Sequence, residues 1–340
     1  MSKRAVDVVI LHFGGPTCEE QVQPFLRRLF EDPFIIRAPL GVTGRKWLAS
    51  YISKKRWKHT NEQYKAIGYS PINHYTKIQA DFLEQRLKAD HPESKVFVVN
   101  RYTEPFAPQV IPEILKSPAE RPLFLLTLYP HFSHSTAGSS IRDFDQAWEA
   151  ITGTKTKTSH RVFHWWWQRR YREYALEFLK EAVSKHQTTY PGQALSVLYS
   201  AHGLPQKYAD RGDPYVHDIR AHAEELSLML RSWAKEEFGG QLDLSFDLSF
   251  QSRVGPVEWL RPYTEDKIEE LGNKRGGTLL IVPLSFVSDH IETLYEMDVT
   301  YRNLALSKGF KNMLRARVPN EDPKFAVVLY DTLIDMGLYP

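Results

Sequence analysis

His290, Glu292 and Glu296 have types and spacing suited to proton or metal chemistry. They lie in the stretch Ser288-Asp289-His290-Ile291-Glu292-Thr293-Leu294-Tyr295-Glu296. A histidine titrates close to neutrality and suits proton acceptance, while carboxylates suit a hard divalent cation or an outward proton path. Spacing alone does not choose between these roles. It also allows a plainer reading, in which Asp289 and Glu292 form an acidic capping box and Glu296 sits one turn later on a solvated face. His202, in Ser200-Ala201-His202-Gly203-Leu204-Pro205, is a second candidate, since a histidine followed by Gly at a strand's carboxyl end is well exposed to a cleft, although a lone histidine is commonly structural. His131 and His134 are spaced H-x-x-H. They have no third ligand nearby in sequence, so the spacing by itself does not make a metal site.

Buried strands must position these residues. The apolar run 279–282 reads as a strand covered on both faces, broken at Pro283, with a helix starting at Ser288 or Asp289. Runs at 6–13, 96–100, 123–128, 195–199 and 244–250 repeat the strand pattern. Helical stretches at 21–30, 76–89, 171–186 and 216–238 alternate with them, and 301–338 reads as one or two closing helices. Alternation of this kind implies an α/β chain with mostly parallel sheets. The polar stretch 152–158 marks a passage between halves, giving domains at 1–158 and 159–305 with a cleft between them. Residues 306–340 then form a helical segment packing back across both. In open α/β sheets ligands bind at the carboxyl ends of strands, where His202 and the 289–296 group both fall.

Composition narrows the function. The 340 residues are 42% hydrophobic and 25% charged, which supports a substantial core in a soluble protein. A net charge of +3 is too small to imply a nucleic-acid partner. The single cysteine, Cys18, excludes an internal disulfide and any cysteine-built zinc or iron–sulfur site, and suits the cytoplasm. The first apolar run is short and breaks at Gly14-Gly15-Pro16, so it reads as a strand and not a signal peptide. No window approaches the length of a membrane span. The opening turn lacks both G-x-G-x-x-G and G-K-[ST], which disfavours nucleotide binding. Between 34 and 58, apolar and aromatic residues including Trp47 and Tyr51 precede the basic run Lys54-Lys55-Arg56-Trp57-Lys58. That pattern fits an amphipathic helix over a core, or a lip that touches an anionic membrane.

Several blocks, in order along nearly the whole chain, resemble the ferrochelatases, which insert ferrous iron into porphyrin. Ser-Asp-His-Ile-Glu-Thr-Leu-Tyr-Glu-Met-Asp (288–298) is similar to their C-terminal signature. Gln251-Ser252-Arg253-Val254-Gly255-Pro256 with Trp259-Leu260 matches another block. Ser200-Ala201-His202-Gly203-Leu204-Pro205 resembles Ser-Ala-His-Ser-Leu-Pro, with Gly203 for the second Ser. His12-Phe13-Gly14-Gly15-Pro16 resembles the opening, with His12 in place of the usual Asn. Gly68-Tyr69-Ser70-Pro71-Ile72 follows the family pattern one residue short. Tyr129-Pro130-His131-Phe132-Ser133 departs from it at His131 and Phe132.

The resemblance implies two Rossmann-like domains of the class II chelatase fold, binding no nucleotide. It implies that protoporphyrin IX and Fe²⁺ are substrates, that protohaem is the product, and that no cofactor is carried. His134 stands where some members place a cluster cysteine, so no iron–sulfur cluster is expected. By the same resemblance His202 is the pyrrole proton acceptor and an early metal contact, facing Glu292, with His290, Asp289 and Glu296 orienting or relaying charge. Phe13, Arg56, Tyr64, Ser70, Arg101, Tyr102, Tyr129, Trp259 and Phe286 are the implied porphyrin contacts, Arg56 meeting the propionates. One of Trp165, Trp166 and Trp167 would stand beside the metal path. The helix after Asp289 is expected to contain π-helical turns. Residues 34–58 would form a lip in contact with the inner face of the membrane, on a monomer or homodimer. Coproporphyrin is the competing substrate. Cobalt or nickel chelatases and a non-catalytic haem-binding protein are the competing classes.

Overall fold

The computed structural model describes residues 4–36, 40–156, 158, 160–255 and 257–338. The chain divides into two compact units. One comprises Met1–Trp165, Val287–Ile291 and Pro319–Pro340, the other Trp166–Phe286 and Glu292–Val318. The passage thus falls at Trp165, not at 158. The C-terminal segment is no separate body: 319–340 rejoins the first unit, and 306–318 belongs to the second.

Each unit is built on a four-stranded parallel sheet. In the first, β1 (Asp7–His12), β2 (Lys95–Asn100), β3 (Leu123–Thr127) and β4 (His160–Val162) lie in the order β2-β1-β3-β4. In the second, β5 (Leu195–His202), β6 (Leu244–Gln251), β7 (Thr278–Pro283) and β8 (Asn312–Arg315) lie in the order β6-β5-β7-β8. The two sheets therefore share one topology. All residues of β1, β3 and β7 are buried, as strands covered by helices on both faces must be. Val9, Leu11 and Leu125 pack with Ile111 and Phe144 in the first unit. Val197, Tyr199 and Leu280 pack with Ile219 and Leu226 in the second.

Three expectations need correction. The closing segment is not all helix: a strand, β8, lies between the helices Arg302–Ser307 and Lys324–Asp335, because its short run pairs with the open edge of β7. The edge strand β4 lies at His160–Val162, outside the runs that read as strands. The helix expected from Ser288 or Asp289 begins only at Ile291, and its body, Glu292–Tyr301, is a π-helix. Two residues before it, the Asp289 backbone N–H and carboxylate pair with the side chain of Asn320, both at 2.7 Å. Gln79, from the helix Ile72–Asp90, secures the same segment by donating to the carbonyls of Val287 and Asn320.

Candidate active site

In the second unit, the chain forms a compact acid–base cluster where β5 and β6 end and the π-helix begins. β5 and β6 finish in register, with His202 opposite Gln251. The His202 backbone is held from two sides: its N–H donates to Ser285 Oγ at 3.2 Å, and its carbonyl accepts from the Tyr215 hydroxyl at 3.0 Å. Its Nδ1 lies 2.8 Å from Glu292 Oε2. The same oxygen accepts from Gln251 Nε2 at 3.0 Å and from Ser252 Oγ at 2.9 Å. Ser252 Oγ also lies 2.6 Å from Glu296 Oε2, so one hydroxyl links the two carboxylates.

The local sequence explains this geometry. A π-helix takes more residues per turn than an α-helix, and here it carries Glu292 and Glu296 toward one hydroxyl. Ser252 adopts a left-handed backbone, φ +63°, which is costly for a residue with a Cβ and turns its hydroxyl toward the carboxylates. Gln251 is buried, and the Ser200 hydroxyl 2.6 Å from its Oε1 turns the amide NH₂ toward Glu292. Gly203 permits a close approach of the backbone to its neighbours. A Cβ there would stand 2.6 Å from the Gln251 carbonyl and 3.3 Å from the Trp259 ring.

Electrostatics separate the members of the cluster. Burial opposes the His202 imidazolium, but the charge and hydrogen bond of Glu292, with Glu296 behind, outweigh it and raise the pKa above its ordinary value. Burial and the adjacent Glu292 charge push Glu296 up to about 8. Glu296 is therefore the protonated carboxyl at neutral pH, hydrogen-bonded to Ser252 and backing the Glu292–His202 pair. Trp259 donates from Nε1 to the Val254 carbonyl at 2.9 Å, which folds its loop back on itself. Pro256 of that loop lies outside the described residues. Phe286 packs against the apolar cluster of Ile281, Met297 and Tyr301.

The remaining candidates lie in the first unit. Phe13 is half-buried and meets the edges of Tyr102 and Phe25, with ring centroids 4.6 and 5.9 Å away. Tyr102 and Tyr64 belong to the same buried cluster, and the Tyr102 hydroxyl is given to Asp32 at 2.7 Å. Arg101 joins Asp32, Asp143 and Ser139, a network that anchors the start of the 34–58 segment. Ser70 is buried beneath Gly15. Tyr129 lies beside His12, its hydroxyl 3.2 Å from Ser140 Oγ. Arg56 stands over the Phe30 ring at 5.7 Å. His290 places Nδ1 3.1 Å from the Ser288 carbonyl. Of the H-x-x-H pair, His131 is buried and His134 exposed, and no group of three metal-ligating side chains occurs among the described residues.

The Trp triplet divides between the units. Trp165 donates to the Thr127 carbonyl at 2.9 Å, and Trp166 packs near His222. In the 34–58 segment, Arg37, Ala38 and Pro39 lie outside the described residues, and from Val42 the segment is part of the helix Val42–Ala66. Sequence reasoning passed over Gln251 and Ser252 as site residues. Their signal was polarity at the carboxyl end of a strand in register with His202.

The family model for ferrochelatase matches residues 5–336. The chain belongs to the ferrochelatase family. It is 39% identical over 322 residues to a ferrochelatase of Rippkaea orientalis, covering 94% of this chain and 79% of the relative. A ferrochelatase of Gloeobacter violaceus is 38% identical over 337 residues, covering 98% of both chains. Among solved structures, SirB from Bacillus subtilis with Fe³⁺ superposes with a TM-score of 0.52 at 12% identity, covering 99% of this chain and 96% of that one. That likeness concerns the fold, two α/β units with parallel sheets as in class II chelatases.

Proposed function

We propose that this chain inserts Fe²⁺ into protoporphyrin IX to form protohaem, the last step of haem biosynthesis, with His202 and Glu292 as the central catalytic pair. The observation that carries the reading is the 2.8 Å contact between His202 Nδ1 and Glu292 Oε2, at a strand end within a family of metal-inserting lyases. Metallation removes two pyrrole N–H protons and needs a nearby base. With Nδ1–H directed at Glu292, the His202 Nε2 is the accepting nitrogen, and the Glu292 carboxylate stabilises the imidazolium that forms. Glu296 stays neutral up to about pH 8, so Glu292 carries the charge and Glu296 holds a proton: two carboxyls with two roles. Glu292 and His202 also suit a transient contact with the incoming Fe²⁺. Trp259 and Phe286 of the second unit supply apolar surface for gripping a planar ring, and binding energy spent on bending it exposes the nitrogen lone pairs.

The apolar substrate suits delivery at a membrane surface. The helix Val42–Ala66 exposes Val42, Trp47 and Tyr51, the last two stacked with ring centroids 5.9 Å apart, followed by exposed Lys54, Lys55 and Lys58. No helix among the described residues is long and apolar enough to cross a membrane, so this contact would be peripheral. Replacing Trp47 and Tyr51 by serine should reduce sedimentation with anionic vesicles severalfold. Unchanged sedimentation would remove the helix from the membrane contact.

The decisive assay mixes the protein with protoporphyrin and anaerobic Fe²⁺ and follows loss of free-base fluorescence. Multiple turnovers in the wild type, lost in His202→Ala, are expected. A stoichiometric spectral shift alone would leave a tetrapyrrole binder, and turnover only with coproporphyrin would reassign the substrate.

A further inference from the structure

Two arginines of the second unit converge on one aromatic ring beside the acid–base cluster. The guanidinium of Arg253 lies 4.5 Å, and that of Arg261 4.4 Å, from the centre of the buried Tyr263 ring. Both being that close to one centre, the two cations are at most about 9 Å apart. Both side chains are exposed, and neither has a carboxylate within ion-pair reach among the described residues. Arg275 and Arg315 of the same unit, by contrast, are paired with Asp243 and Asp298. Glu265 and Asp266, in the first turn of the helix that follows Tyr263, form no ion pair with either arginine.

The placement gives these cations a use. Arg253 follows Ser252 directly, the residue whose hydroxyl joins Glu292 and Glu296. The intervening loop is folded back by the Trp259–Val254 hydrogen bond and exposes Val254 and Val257. Contact with the Tyr263 ring restricts both arginines in advance, so less freedom is lost on binding. A guanidinium fork matches a carboxylate in two-point geometry. Apolar surface, two pre-positioned forks and an adjacent proton-accepting cluster together suit a flat apolar ligand with carboxylate side chains.

We propose that Arg253 and Arg261 form a carboxylate-recognition site for the propionate side chains of the tetrapyrrole substrate. This rests on the function proposed above and adds to it a cationic contact in the second unit, separate from Arg56 of the first. The test measures quenching of tryptophan fluorescence in the full chain by metal-free protoporphyrin and by its dimethyl ester. The proteins are wild type, Arg253→Gln, Arg261→Gln and the double variant. Arg231→Gln serves as control, since Arg231 makes the same kind of stack on Phe246 near the amino end of β6.

Each single change should weaken the diacid about fivefold and the double change about thirtyfold, in line with charge-assisted hydrogen bonds at an exposed site. The diester should bind all five proteins within about twofold, and added salt should weaken the diacid more in the wild type and in Arg231→Gln than in the double variant, among proteins with intact melting curves. Unchanged diacid affinity in the double variant, or equal losses for diacid and diester, would overturn the site. Absence of quenching by either porphyrin in the wild type would instead sink the functional reading, so the two failures are distinguishable.

Discussion

The first strand of each sheet ends in a histidine, and the two histidines live in opposite electrostatic settings. His12 closes β1, is buried, and places Nδ1 2.8 Å from the hydroxyl of Thr76. Burial, with the neighbouring His290 as a lesser contribution, drives its pKa down to about 3. His202 closes β5, is partly exposed, and places Nδ1 at the same 2.8 Å from a carboxylate that raises its pKa. Topology alone therefore supplies a position at the carboxyl end of a central strand. The partner at Nδ1 decides whether the imidazole there is a lasting neutral group or a base that can hold a proton.

The largest expected effect is on the His202 side of this comparison. His202→Ala should lower turnover about a thousandfold, the range of a general base, and leave porphyrin binding within about threefold. A loss of binding with normal turnover of the bound fraction would break the assignment. Of intermediate size is the pH dependence carried by Glu296. Its folded pKa of about 8 lies above the ordinary 4.5, so the fold favours the protonated form. That preference costs nothing below pH 4.5, then erodes stability as pH rises, and levels off above pH 8. Glu296→Gln removes the slope, so its stability relative to wild type should grow between pH 4.5 and 8, by on the order of a few kcal/mol. Parallel denaturation curves at pH 5, 7 and 9 measure it, and a constant difference would show that Glu296 ionises normally. The smallest effect belongs to His12→Asn, which keeps a neutral polar group beside Thr76. Turnover should stay within about threefold of wild type, and a loss approaching that of His202→Ala would erase the contrast between the two histidines.

How far the sequence could be read follows the same physical divisions. The central strands were legible because burial on both faces demands unbroken apolar runs, as in Val8-Val9-Ile10-Leu11 and Leu279-Leu280-Ile281-Val282. The edge strands β4 and β8 were not, since His160-Arg161-Val162 and Asn312-Met313-Leu314-Arg315 are short and half polar. Their pairing comes from the neighbouring strand, not from local pattern. His202 and Glu292 were found through the motif wording, and their mutual contact bears out the expectation that they face each other. The π-helix was anticipated only by resemblance, because hydrophobic spacing does not resolve its pitch from an α-helix over ten residues. The pairing of Asp289 with Asn320, distant in sequence, has no local signal either. Ser252 and Gln251 stayed hidden for a related reason. A left-handed serine and an amide locked by Ser200 are products of tertiary contact.

The most direct test is a nitrogen-15 NMR titration of histidine-labelled protein, with His202 assigned by its loss in His202→Ala, for wild type and Glu292→Gln. The expected result is a His202 midpoint above 6.5 in the wild type that falls clearly in Glu292→Gln, while His12 stays neutral across the same range. A His202 midpoint that Glu292→Gln leaves in place would contradict the central claim that this carboxylate makes His202 the base.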